Sequence, residues 1–122
     1  MKTKVCWFNI ILPLFFSTPL FSQFIAIQDG DKVEVRNISG GFLTSGYYSG
    51  LKDIAQGDNF IVMLYDSDKI EIRGSDLNLM TTAFYSNLKK IATAQDYVVL
   101  HYDNGKIEVR NKELKYYNSW NQ

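Results

Sequence analysis

Few side chains in this sequence could do acid–base or nucleophilic chemistry. One histidine, His101, lies in "YVVLHYD", and one cysteine, Cys6, lies near the amino terminus. A histidine can act as a general base near neutral pH. Sliding the chain by 37 residues, however, sets His101 against Leu64 and Ile27, both apolar. A packed or edge histidine is therefore expected, and no catalytic residue is assigned. No Gly-x-Ser-x-Gly, His-Glu-x-x-His or phosphate-loop pattern occurs. Carboxylates pair as Asp29/Asp31 and Asp66/Asp68, and such pairs can offer hard oxygen ligands to calcium. A calcium site needs about six to eight oxygens, and the third copy has Gly105 in place of the second acid. Turn-forming hydrogen bonds are the expectation here, with no metal site and no cofactor.

Two further constellations repeat. Lys32, Glu34 and Arg36 return as Lys69, Glu71, Arg73 and as Lys106, Glu108, Arg110. Alternate residues of a strand share a face, so each trio forms a charged stripe. Ion pairing and contacts with neighbouring repeats through Arg36, Arg73 and Arg110 are expected of it. Aromatic residues gather on the last strand of each copy, including Phe42, Tyr47, Phe84 and Tyr116. Tyr48, Tyr85, Tyr117 and Trp120 are the binding candidates, because an aromatic ring buries area while its polar edge bonds. Trp120 stands where the other copies have Gly46 and Ala83, both small.

The spacing of 37 organises the whole chain. It superposes "GDKVEVRN", "SDKIEIRG" and "NGKIEVRN", and it matches Thr44, Tyr48, Ser49, Leu51, Lys52, Ile54 and Ala55 with identical residues one period on. A fixed period of this size signals a repeat architecture. Within a copy the apolar pattern has period two or is continuous, so each copy reads as strands. "FIVMLY", residues 60–65, is continuously apolar and suits a strand buried on both faces, whereas "KIEIR" alternates. Asp, Ser, Asn and Gly between them supply hairpin turns. Gly105 suits a positive φ, and its counterparts Asp31 and Asp68 tolerate one less well, so the turns are expected to differ.

The run "LKDIAQGDNFIVMLYDSDKIEIRGSDLNLMTTAFY" and its fainter copy from Leu88 resemble β-propeller blades. In such blades an inner strand with small residues leads through Gly or Asp to an apolar strand, an alternating strand and an aromatic-bearing outer strand. The resemblance is to an architecture and points to no functional family. It implies an all-β fold of tandem four-stranded antiparallel repeats in a propeller-like partial ring, with repeats at 23–59, 60–96 and 97–122. The first copy lacks its inner strand, which leaves eleven strands. Propellers have roughly four to eight blades, so either two chains close one ring as a homodimer or the chain forms an open, self-covered arc. The alternative is a β-trefoil, which also has three four-stranded repeats.

Lys2 and Lys4 precede an apolar run, Val5 to Phe16, and "STPLFS" then leads to Gln23. That layout predicts a signal peptide over residues 1–22, cleaved after Ser22. An uncleaved anchor competes, but the run before Pro13 is short for a membrane span. Cleavage would remove Cys6, and with it any disulfide or thiolate chemistry. It would also take two lysines from a balance of 13 basic and 13 acidic residues. The near-neutral remainder gives no electrostatic footprint for nucleic acid and none for a membrane surface. A single exported domain, 23–122, secreted or periplasmic, is expected, with no enzymatic activity. Its role would be to bind a protein or glycan partner, or to assemble; a lectin is the second reading, and an envelope hydrolase or lyase the third.

Overall fold

The computed structural model describes residues 23–122, so the expected signal peptide lies outside the described residues. The "KVEVRN" strand of the first copy buries alternate side chains, while its counterparts in the second and third copies also bury the central glutamate, and each is joined to its neighbours by short turns. Eleven strands result: β1 (Phe24–Asp29), β2 (Lys32–Asn37), β3 (Phe42–Tyr47), β4 (Leu51–Gln56), β5 (Phe60–Tyr65), β6 (Lys69–Gly74), β7 (Leu79–Phe84), β8 (Leu88–Ala94), β9 (Tyr97–Tyr102), β10 (Lys106–Asn111) and β11 (Tyr116–Asn121). They form three antiparallel meanders, β1-β2-β3, β4-β5-β6-β7 and β8-β9-β10-β11. Among the described residues no strand pairs across sheets. That excludes the trefoil, whose repeats share one barrel.

The middle sheet carries apolar side chains on both faces, because both faces meet another sheet. Phe60, Val62, Leu64, Ile70 and Ile72 pack against Leu88, Ile91, Val98, Leu100 and Leu114 of the third sheet. On the opposite face Ile54, Ile61 and Met63 pack against Phe24, Ala26, Val33 and Val35 of the first. Every residue of β5 is buried, as its continuous apolar run requires. Each sheet thus has a leading face toward the preceding sheet and a trailing face toward the next.

The outer hairpins share one device. A β-bulge falls between Val35 and Arg36, Ile72 and Arg73, and Val109 and Arg110. After it, Gly40, Leu77 and Leu114 take φ values of 95°, 69° and 63°. A leucine with positive φ is strained, and here the strain is offset by burying the leucine side chain between sheets.

The inner hairpins do not repeat. In the second and third copies Asp68 and Gly105 take positive φ, so an aspartate meets the demand that was expected only of glycine. In the first copy Asp29 pairs directly with Lys32, which leaves the two-residue turn Gly30-Asp31 with Gly30 at φ 64°. This shorter turn moves β1 by one residue against the 37-residue alignment. The counterpart of Leu64, which faces Ile70, is therefore Gln28, which faces Val33, and not Ile27. His101 faces Ile107 and belongs to the same series, so its first-copy equivalent is polar.

Among the described residues the first sheet has no strand inside β1, and the middle sheet covers that edge with a side chain. The Gln56 carboxamide accepts from the Ala26 N–H at 3.0 Å and donates to the Phe24 carbonyl at 2.6 Å. These are the two bonds that one residue of a neighbouring parallel strand would make. Between the second and third sheets the Thr93 hydroxyl donates to the Gln56 carbonyl, and the Asp58 N–H donates to the Gln95 carbonyl. Gln56→Ala would strand a buried donor and a buried acceptor and is expected to cost about 2 kcal/mol. Urea unfolding measures the loss, and amide exchange at Ala26 should accelerate with it; an unchanged midpoint would refute the bridging role.

Candidate interaction surfaces

The charged stripes lie on the leading face of each sheet and build a buried network in the second and third. In the second, Glu71 is 6% exposed. It accepts from the Tyr65 hydroxyl at 2.6 Å and from Arg73 Nε at 3.0 Å, and Lys69 Nζ approaches to 3.3 Å. Arg73 also donates to the Leu77 carbonyl at 2.7 Å, which ties the stripe to the strained loop. In the third sheet Glu108 accepts from Tyr102 at 2.7 Å and Arg110 Nε at 3.1 Å, and Arg110 donates to the Leu114 carbonyl. The first sheet keeps only Arg36 with Glu34 and the Gly40 carbonyl, and that pair is far more exposed.

Burial would raise the Glu71 carboxyl, but the Tyr65 hydroxyl and the Arg73 guanidinium outweigh it and hold Glu71 below the usual carboxylate range. Glu108 is lowered in the same way by Arg110 and Tyr102. Burial and then the bond to glutamate push the Tyr65 and Tyr102 hydroxyls well above their ordinary value, so both remain donors.

The four aromatic candidates separate into two pairs. Tyr48 and Tyr85 follow the outer strands and turn inward between sheets. Tyr48 lies 4.7 Å below the Arg73 guanidinium of the next sheet, and Tyr85 lies 5.0 Å from Arg110 of the next. They act as cation–π staples from one repeat to the following one. Tyr117 and Trp120 both lie on β11. Trp120 pairs with Ile107, which places it on the trailing face of the third sheet, and the Tyr117 ring lies 5.2 Å from Tyr97. Of the arginines, Arg73 and Arg110 lie between repeats, while Arg36 lies on the leading face of the first sheet, over Phe42 at 5.8 Å. His101 is half-buried on the trailing face of the third sheet. Among the described residues no group of three histidine, cysteine, aspartate or glutamate side chains is placed to hold a metal.

The outer strands carry a surface of which sequence reasoning picked out only the aromatic members. Phe42, Leu43 and Tyr47 of β3 are exposed. So are their counterparts Leu79, Met80 and Phe84 of β7. On β11 Tyr116 and Tyr117 continue the pattern, while Asn121 replaces the third residue. The sequence signal was the exchange of aromatic for aliphatic residues at 42/79/116 and 43/80/117, which aromatic counting alone passes over.

The architecture defined by these sheets is that of consecutive β-propeller blades forming an arc that does not close on itself. Solved structures with the same arrangement include BBS1N in complex with ARL6DN, at a TM-score of 0.67 and 11% identity over 81% of this chain and 35% of that one. BamB from Moraxella catarrhalis matches at 0.63 and 9% identity, over 88% of this chain and 33% of that one. The Neurospora crassa Pan2 WD40 domain matches at 0.60 and 10% identity, over 81% and 33%. The chain spans about a third of the length of each of these structures. No protein-family model and no curated protein matches the sequence.

Proposed function

We propose that the chain is a non-catalytic binding module whose outer strands dock a protein partner. The observation that carries this reading is where the exposed large hydrophobic side chains lie: nine of ten among the described residues are on β3, β7 and β11. Scattered apolar residues are ordinary on a surface, whereas a repeated apolar edge strand is a site for association. Among the described residues each outer strand has a sheet neighbour on one side only. An extended partner segment can therefore add to it, with backbone bonds supplying affinity and the apolar side chains supplying specificity. One neighbour of the same fold, BBS1N, was solved with ARL6DN bound, which is in keeping with a protein partner. A glycan reading is weaker, because a threefold sugar site needs the same aromatic in every copy and Asn121 breaks the series Tyr47, Phe84. Read as an export signal, residues 1–22 put the partner outside the cytoplasm.

The test is a photo-crosslinking residue at Leu43 or Met80 in the cells that produce the protein, with Lys52 of β4 as an exposed control. Covalent protein adducts specific to the outer-strand positions are expected. Changing Leu43 and Met80 together to Asp should weaken partner binding at least tenfold, since each buried apolar side chain contributes about 1.5–3 kcal/mol. Equal adducts at Lys52, or loss of glycan binding alone, would overturn the reading.

A further inference from the structure

The two ends of the arc carry faces of the kind that every internal junction covers. At the leading end Ile25, Ile27 and Arg36 share a face, since Ile25 pairs with Arg36 and Ile27 with Glu34. The residues in these places on the middle sheet are Ile61, Met63 and Arg73; Ile61 and Met63 are fully buried against the sheet before. Ile25 and Ile27 are only half-buried. At the trailing end Tyr97, Val99 and Val109 are half-buried, where their middle-sheet equivalents Phe60, Val62 and Ile72 are fully buried. The trailing face therefore presents the surface that, at both internal junctions, receives a leading face, and among the described residues one copy of each is left uncovered.

Trp120 identifies what meets this face. In the first repeat the Tyr48 phenol lies directly over Gly46, so closely that a methyl there would fall 2.6 Å from the hydroxyl oxygen. Tyr48 then reaches Arg73 of the next sheet. The second repeat has Ala83 and Tyr85 in these places, with Tyr85 on Arg110. The third inverts the pair: the large residue is Trp120 and the tyrosine is replaced by Gln122. The backbone has not moved, because the N–H of Tyr48, Tyr85 and Gln122 donates in each case to the equivalent carbonyl of Asp31, Asp68 or Gly105. Position 120, like position 46 beneath the Tyr48 phenol, lies on the trailing face of its sheet, so an indole there stands in for the phenol. The third repeat thus retains an aromatic group aimed at the arginine of a following sheet. One arginine of the series stands on an uncovered leading face, Arg36.

We propose that two copies of this chain associate head to tail, the trailing face of the third sheet on the leading face of the first sheet of the partner, with the Trp120 indole stacked on Arg36 of that copy. The occupant is a second copy because each internal junction sets an equivalent trailing face on an equivalent leading face, with an aromatic–arginine staple between them. Two such contacts related by a two-fold axis close a ring of six sheets and leave neither end exposed.

The experiment is light scattering across a concentration series on the full described domain, with Trp120→Ala, Arg36→Ala and an equimolar mixture of the two. The parent protein is expected at twice the chain mass. Each variant should lose roughly 30-fold in affinity per junction, the size of a desolvated cation–π contact. Native mass spectrometry of the mixture should favour the mixed dimer, which keeps one intact Trp120–Arg36 junction and doubles the defect at the other, where little remains to lose. This preference cannot come from a folding defect, which would weaken mixed and unmixed dimers alike. A strict monomer at the highest soluble concentration would overturn the proposal, as would assemblies growing beyond two chains, or a dimer that pairs the variants at random.

Discussion

Phe60→Ala is expected to lower the unfolding free energy by about 3–5 kcal/mol, the range for removing a fully buried aromatic ring. Phe60 begins β5 and is wholly enclosed between the second and third sheets, among Val62, Ile72 and Val98. Its ring lies against Gly57, where even a methyl group would collide with it. The cavity cannot relax easily, because the middle sheet is held on its other face by the first sheet and a shift to fill one core would open the other. For a domain of this size the loss corresponds to a melting-temperature fall of roughly 12 °C or more. Total stabilities of about 5–15 kcal/mol make that a large share. Thermal and urea unfolding measure it together. A loss near 1 kcal/mol would show that the second and third sheets are not packed as described.

Glu71→Ala is the second large effect, with an expected loss of about 3 kcal/mol or more, because it leaves Arg73 and Tyr65 without their shared buried acceptor. The equivalent change at Glu34, in the exposed pair with Arg36, should cost below about 1 kcal/mol. This contrast between identical substitutions in one repeat pattern isolates burial as the cause. The pH dependence follows from the direction of the shifts. The Glu71 and Glu108 carboxyls are lowered in the fold from an ordinary value of 4.5, so the stability they contribute is full above that value and is lost as pH falls through the depressed range. Tyr65 and Tyr102 are raised from 10.0, so stability declines again as pH climbs past that value. Glu71→Gln should flatten part of the acid limb and also soften the alkaline one, because the bond to Glu71 is one cause of the raised Tyr65 hydroxyl. An acid limb identical to the parent protein's would show that Glu71 is not held as a buried carboxylate.

These same residues explain how a charged stripe can lie on a face packed against another sheet. Alternation correctly placed Lys69, Glu71 and Arg73 on one face, but spacing cannot say that the face is shut against another sheet. What makes burial tolerable is Tyr65, the residue just before the turn, whose hydroxyl completes the glutamate's partners. In the first copy the one-residue shift of β1 puts Asp29 at that place, which has no hydroxyl to donate, and the Glu34–Arg36 pair stays more exposed. The Tyr48 and Tyr85 rings were legible as repeated aromatics. Their inward turn onto Arg73 and Arg110 was not, because a residue beyond the end of a strand has no alternation to fix its direction.

From the sequence alone the strand content, the meander within each copy, the two-sided burial of "FIVMLY" and the propeller-like arrangement could be read. Each follows from local period and from a 37-residue repeat that imposes one backbone path on three segments. Only the tertiary structure decided the rest: the one-residue shift of β1, the use of Gln56 as a substitute strand edge, and the exposure of Trp120 where Gly46 and Ala83 are covered. Those features depend on which sheet stands opposite a face, and that is set by contacts between residues some thirty positions apart, about which local spacing carries no information.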